Sequence, residues 1–294
     1  MSASSFARRF RLASFDTSWQ NRRVKAARLA LVVVTMVTVV SPRPAIPQSK
    51  LAPIVQRASE YVAAFVTAFS NVVAEEKYIQ QTDAPRKRRE LLADYLFVKP
   101  PGQAEWFEFR DVISVDGTPV AGREQRMIEL FVNPPSNLRQ RIRDIAEQNS
   151  RYNLESIGTL DTPLIALSFL QPVNVERFAY TVGRHEDSLG PNVRVVQFRE
   201  IARPTILRAE ARDLPAHGFY WIEEDTGRVV KTTLDFRAAF VTTTFRFDAD
   251  LRIDVPEEMR QRWYVNRNAS TEFNATSTYG RFRRFGVRTD EKIR

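Results

Sequence analysis

The feature that most restricts this chain is a change of hydrophobic period early in its length. Ile54, Ala58, Tyr61, Val62, Phe65, Phe69, Val72 and Val73 recur every three or four residues, which is one face of an amphipathic helix. Pro53 suits the first turn of that helix, where its missing N–H costs nothing. From about residue 76 the period falls towards two, and β-branched and aromatic residues gather between turn signals. The polar side of the helix is not notably basic, so it reads as a helix packed on a sheet and not one lying on a membrane surface.

Residues 91–98 and 105–115 read as antiparallel neighbouring strands, the second ending at the tight-turn dipeptide Asp116-Gly117. The middle of the chain turns helical. One helix is expected over 123–131 and a second after the cap residue Ser136, with Leu138, Ile142, Ile145 and Ala146 on one face and Arg139, Arg141 and Arg143 elsewhere. A third, short helix is expected over 163–170. Strands return at 177–185 and 193–201, then at 218–223 and 228–236 around Asp225-Thr226-Gly227, at 240–247, and once or twice within 271–287. Roughly eight to ten strands in hairpins, with helices at the front and in the middle, predict an α+β domain on an antiparallel sheet. The expected organisation is one domain over 49–294 with a helical insertion at about 123–170.

Residues 1–48 read as a leader. The basic stretch Arg22-Arg23-Val24-Lys25-Ala26-Ala27-Arg28 precedes an uncharged apolar run from Leu29 to Val40, and Ser41-Pro42-Arg43-Pro44-Ala45 follows, the layout of a secretory signal peptide. The run falls short of the about 20 apolar residues that a membrane span needs. The expectation is an exported protein, periplasmic or extracellular, with no transmembrane segment in the mature chain.

Export changes the charge balance. The whole chain carries 44 Lys and Arg against 35 Asp and Glu, for a net +9. Removing the leader's eight basic residues and its one acid, Asp16, leaves 36 against 34, for a net +2. A near-neutral surface lacks the positive field that nonspecific nucleic-acid binding requires, so no nucleic acid is expected. There is no cysteine, which excludes disulfides, thiolate metal sites, a thiol nucleophile and a lipid anchor on cysteine.

Catalytic motifs are missing. There is no Gly-x-Gly and no Gly-x-Ser-x-Gly, and Gly117 and Gly122 have the phosphate-loop spacing but are followed by Arg123-Glu124. His185, in His185-Glu186-Asp187, and His217, before Gly218, read as solvated turn histidines. The pairs Glu75-Glu76 and Glu223-Glu224 point to opposite faces of a strand and read as surface charges. Arg86-Lys87-Arg88-Arg89 reads as a solvated connection before a strand, and Tyr279-Gly280-Arg281-Phe282-Arg283-Arg284-Phe285 as a glycine-marked bulge in a twisted strand. No catalytic residue, metal site or cofactor is assigned, and the chain is not read as an enzyme.

The positive signal is aromatic. The strands carry large apolar residues at both parities, and in Trp106-Phe107-Glu108-Phe109 one face takes Phe107 and Phe109 while Trp106 lies on the other. A sheet apolar on both faces needs cover on both, from helices or from a ligand, which leaves a filled core and a ligand cavity both open. Candidate ligand-lining residues are Tyr95, Phe97, Trp106, Phe107, Phe109, Trp221, Phe245 and Phe247.

The last third resembles the lipoprotein-carrier superfamily, the LolA, LolB and LppX type of periplasmic protein, to which the sensor domains of RseB and MucB are similar. The residues that carry the resemblance are the hairpin from Gly218-Phe219-Tyr220-Trp221 through Asp225-Thr226-Gly227-Arg228 to Lys231, then Phe245-Arg246-Phe247-Asp248, Val255-Pro256-Glu257-Glu258-Met259 and the closing Tyr279-to-Val287 segment. The resemblance implies a strongly curved antiparallel sheet, an open half-barrel with helices over its concave face, that shelters a lipid or lipidated ligand as carrier or sensor. It also implies, as the rival function, a regulatory or scaffolding module that binds another envelope protein. A hydrolase of unknown substrate ranks third. The helical insertion departs from the carriers, and the missing cysteine sets the chain apart from anchored relatives and nearer the soluble LolA-like state.

Overall fold

The computed structural model describes residues 51–83, 86–98, 107–123, 138–154, 159–209, 212–236, 239–264 and 272–284. The leader, the expected helix over 123–131 beyond Arg123, and Ser136 lie outside them. Helix α1 (Pro53–Ala68) starts on the proline as expected and buries Ile54, Val55, Ala58, Val62 and Phe65. It ends earlier than its pattern suggests. Asn71, with φ of 55°, turns the chain, and Val72 and Val73 belong to strand β1 (Val72–Asp83). Apolar residues at both parities let the end of one pattern run into the start of the next.

Strands β2 (Arg86–Val98) and β3 (Phe107–Val115) pair antiparallel, and β4 (Thr118–Pro119) folds back on β3 through Asp116 and Gly117, both at positive φ. Two positive φ values in a two-residue loop match the twist of the flanking strands, which is why Asp-Gly sits there. The basic run is not a connection. Arg86 to Arg89 pair residue by residue with β1, and Arg89 donates to the carbonyl of Tyr152 at 2.8 Å.

Helix α2 (Leu138–Ser150) and the short α3 (Ile165–Ser168) occupy the middle, followed by β5 (Phe178–His185) and β6 (Val193–Glu200). A small hairpin, β7 (Arg208–Ala209) with β8 (Arg212–Asp213), stands apart. Then come β9 (His217–Glu223), β10 (Val229–Asp235), β11 (Ala239–Asp248), β12 (Ile253–Tyr264) and β13 (Glu272–Arg284). The sequence reading has no strand at β12, because Pro256 and polar Gln261 break its alternation. The proline sits where the register with β11 shifts, the kind of position that tolerates a missing N–H. The bulge expected at Gly280 is present: the β1–β13 register slips between Val73 and Glu75, opposite Gly280–Arg283.

The main sheet has 11 strands in the order β4-β3-β2-β1-β13-β12-β11-β10-β9-β6-β5, all described pairs being antiparallel, and it is open. This is the expected α+β curved sheet. The first and last long strands, β1 and β13, lie side by side in its interior. The two edges are occupied by β4 and β5, which are consecutive main-sheet strands in sequence, so residues 120–177 must cross the whole sheet to connect them. The described residues of this crossing from Leu154 onward pack on the apolar face. Leu154, Leu160, Leu164, Ile165, Leu167, Phe169 and Leu170 share one core with α1 and with inward residues from β1 through β13. The described residues 149–154 and 159–170 form the strap.

Candidate functional site

Strand parity and register place one row of residues beneath the strap. Tyr95 of β2 faces Ala74 of β1 on one side and Arg110 of β3 on the other, and Phe97 faces Val72 and Glu108. Glu76 faces Tyr279 of β13, and Tyr78 faces Ser277. These positions therefore share the inner face, and they assemble a buried polar group within an apolar surround.

Arg110 is its centre. The side chain is 2 % exposed and that of Glu76 is fully buried. Arg110 Nε and Nη2 donate to the two Glu76 oxygens at 2.5 and 2.6 Å, a bidentate pair, and Nη1 donates to Asp161 Oδ1 of the strap at 2.6 Å. The guanidinium lies 3.9 Å over the Tyr78 ring. Burial works against the charge on Arg110, but Asp161 and Glu76 outweigh it and hold the group well above its ordinary value. Burial raises Asp161, with Arg110 pulling the other way. The hydroxyls of Tyr78 and Tyr279 are buried without a well-formed hydrogen bond among the described residues, and burial is the main cause that raises both.

Beside this trio, Tyr95 donates to Glu108 Oε2 at 2.6 Å. Burial pushes Glu108 up to about 8, a nearby Asp161 adds to the rise, and the Tyr95 hydrogen bond opposes it. Glu108 is nevertheless half-buried, and the Asp161 side chain keeps 22 % of its surface. Their neighbours Tyr95, Phe97, Phe109 and Arg110 are buried. Glu108, whose burial favours its neutral form, and Asp161, ion-paired with Arg110, are the members of this group that keep some exposed surface.

Polar side chains also fasten the strap to the sheet. Gln80 Nε2 of β1 donates to Asn153 Oδ1 at 2.5 Å and its Oε1 accepts from the Leu154 N–H at 2.7 Å. Gln261 of β12 accepts from the Leu160 N–H at 3.1 Å and donates to the Leu160 carbonyl at 2.8 Å, and Tyr220 of β9 donates to the Ala166 carbonyl at 2.8 Å. Outside its helical turns the strap has buried backbone groups that need such partners, and the Leu154 and Leu160 amides find them on the sheet.

The aromatic candidates divide. Tyr95, Phe97 and Phe245 face inward and are buried. Phe109 is buried on the opposite face, where it pairs with Leu96. Trp221 is half-buried on that outer face with Lys231 Nζ 4.5 Å over its ring, and Phe247 is 57 % exposed. Phe107 begins β3, with its side chain outside the described set, and Trp106 lies outside the described residues. His185 is exposed, with Arg194 at 2.6 Å and Glu224 at 3.6 Å, and His217 lies 3.8 Å from Asp235.

Glu76 corrects the reading of Glu75-Glu76 as surface charges. Only Glu75 faces outward, bridged to Arg281 at 3.0 Å. The alternation Ala74-Glu76-Tyr78 puts Glu76 on the apolar parity, the one signal in the sequence that it is buried. Nothing local marks Arg110 or Asp161 as its partners. The outer face carries a second ionic group, in which Arg123 bridges the cross-strand pair Asp94 and Asp111, with Arg283 3.1 Å from Asp94.

No protein-family model and no curated protein matches this chain in sequence. Among solved structures, the chain is similar to a putative outer membrane lipoprotein-sorting protein domain from Vibrio parahaemolyticus, at 10 % identity and a TM-score of 0.38, over 80 % of this chain and 94 % of that one. It is also similar to lipovitellin, in a structure concerned with lipid–protein interactions, at 7 % identity and a TM-score of 0.22, over 75 % of this chain and 26 % of that one. No helix among the described residues is long and apolar enough to cross a membrane.

Proposed function

We propose that the mature chain is an exported binding protein that shelters a lipid or a lipidated ligand on the inner face of its sheet, as a carrier or a sensor. One observation carries this reading: apolar residues of the inner face form one core from β2 to β6 around the Glu76–Arg110 group, and among the described residues its cover is α1 and the strap, which lie across the sheet without joining its ladder. Cover of this kind separates from a sheet without breaking strand pairing. Each acyl methylene transferred from water to such a face gains about 0.8 kcal/mol, so a chain-like guest binds by burial with few polar contacts. Tyr95, Phe97 and Phe245 are the inward candidates for its lining.

The test is lipid extraction and native mass spectrometry of protein recovered from its own compartment, followed by uptake of a labelled fatty acid after delipidation. Co-purifying lipid and saturable uptake are expected. Protein that carries no lipid and takes up none overturns the reading.

The terminal strand β5 favours a second reading, capture of an envelope protein by strand addition. Its outer edge is unpaired in the main sheet, and five of its eight residues are exposed. A proline scan of β5 that abolishes partner capture while lipid uptake stays intact would support it.

A further inference from the structure

We propose that the inner face holds the polar end of its guest at Glu108 and Tyr95, and that the group received there is an uncharged hydrogen-bond acceptor, the carbonyl of an acyl ester. This rests on the lipid-binding reading above and names the end group that the same face selects.

The geometry starts with register. Glu108 and Phe97 are direct cross-strand partners on the inner face, and Tyr95 lies diagonally beside them. The Tyr95 hydroxyl is committed to Glu108 Oε2 at 2.6 Å, and the Tyr95 ring is held edge-on to Tyr279, with centroids 5.4 Å apart. Glu108 Oε1 has no protein partner among the described residues, although Glu108 keeps accessible surface where Tyr95, Phe97 and Arg110 have almost none. The free end of this carboxyl is therefore the polar atom that a guest meets on leaving the apolar surface around Phe97.

The chemistry of the end group follows from the charges around it. Glu76 from β1, Arg110 from β3 and Asp161 from the strap lie on the same face, two carboxyls against one guanidinium, and the remaining titratable neighbours are the hydroxyls of Tyr78 from β1, Tyr95 from β2 and Tyr279 from β13. An anionic head would meet an excess of carboxyl groups and find Arg110 already saturated by Glu76 and Asp161. Below about 8 Glu108 keeps its proton. Its Oε2 accepts from Tyr95, so the proton sits on Oε1 as a donor. A neutral donor in a half-buried site selects an acceptor, and an ester carbonyl supplies one at the end of an acyl chain. Ionised Glu108 loses that donor and repels the carbonyl oxygen, so the preference disappears at high pH.

The experiment compares methyl decanoate with undecane, matched hydrocarbons with and without the carbonyl, as competitors for an anilinonaphthalene dye on delipidated full-length protein. Wild type should prefer the ester by about tenfold near pH 6 and lose the preference near pH 10. Glu108→Gln, whose amide stays a donor, should keep the preference at both pH values. Glu108→Ala should lose it at both while still binding undecane, which also reports that the variant is folded. Equal affinity for ester and alkane in wild type, or a preference that survives Glu108→Ala, overturns the end-group assignment and leaves the lipid-binding reading standing. If neither competitor displaces the dye, both fall.

Discussion

The two halves of the inner face lie under the same strap and are held by different forces. Beneath its later part, Phe169 stacks on Phe178 at 4.9 Å, Phe198 stacks on Tyr220 at 4.5 Å, and the polar tie is the hydroxyl of Tyr220 on the Ala166 carbonyl. Beneath its earlier part, β1, β3 and β13 bring Glu76, Arg110, Gln80 and Ser277 to the face, and the strap answers with Asp161 and Asn153. Aromatic packing stabilises through area and is indifferent to pH. Buried charge is costly unless every member is paired, and apolar replacements of the same volume are often at least as stable. The β5–β10 half is thus mainly aromatic core, with its buried carboxyl Glu200 accepting from the Ile206 and Ala216 N–H groups, and the β1–β3 half is centred on a buried ion-pair group.

The sharpest way to break this contrast is a matched pair of truncations. Arg110→Ala leaves Glu76 buried and unpaired and should cost about 3–5 kcal/mol in urea unfolding. Phe198→Ala opens a cavity between Tyr220, Phe178 and Phe169 and should cost a similar amount, about 3–5 kcal/mol. The two should then part. Adding Glu76→Leu should restore much of the loss in an Arg110→Met background, whereas no second truncation near Phe198 restores that one. Failure of the rescue would mean that the ionic half is structural in the same sense as the aromatic half.

A smaller effect concerns Glu108. Its folded value, about 8, lies above the ordinary carboxyl range, so the folded state holds a proton that the unfolded state releases. Its contribution is favourable at low pH and is lost as pH rises from about 4.5 to about 8. Melting temperatures of wild type and Glu108→Gln should therefore run parallel in acid and diverge across that window, with the variant the more stable above it. Parallel curves throughout would remove the enclosed-carboxyl description. The smallest effect is expected from Tyr220→Phe, which deletes one strap tie in the aromatic half and should cost about 1 kcal/mol in the same unfolding measurement.

Much of the architecture was legible because local rules write it into the chain. The three-and-four spacing after Pro53 marked α1, and Asp116-Gly117 and Asp225-Thr226-Gly227 marked two hairpins that are present where expected. Gly227 shows the added tertiary demand. At φ 73° it also lies so close under α1 that a Cβ would come within 2.4 Å of the Arg57 backbone, which no turn rule reveals. Strand β12 was hidden by Pro256 and by Gln261, an inward polar residue whose reason is the Leu160 backbone 101 residues away. Among the aromatic candidates, alternation could not say which face the chain would cover. Tyr95 and Phe245 fell beneath the core, while Phe109 and Trp221 fell behind it.

By itself, then, the sequence determined element types, turn positions and alternation within each strand, because sterics and turn chemistry act over a few residues. The pairing of β1 with β13, the crossing of the strap and the meeting of Glu76, Arg110 and Asp161 were decided only in three dimensions. A carboxylate on an apolar parity is tolerable or ruinous according to what the register brings opposite it, and that cost exists only once distant strands have been laid side by side.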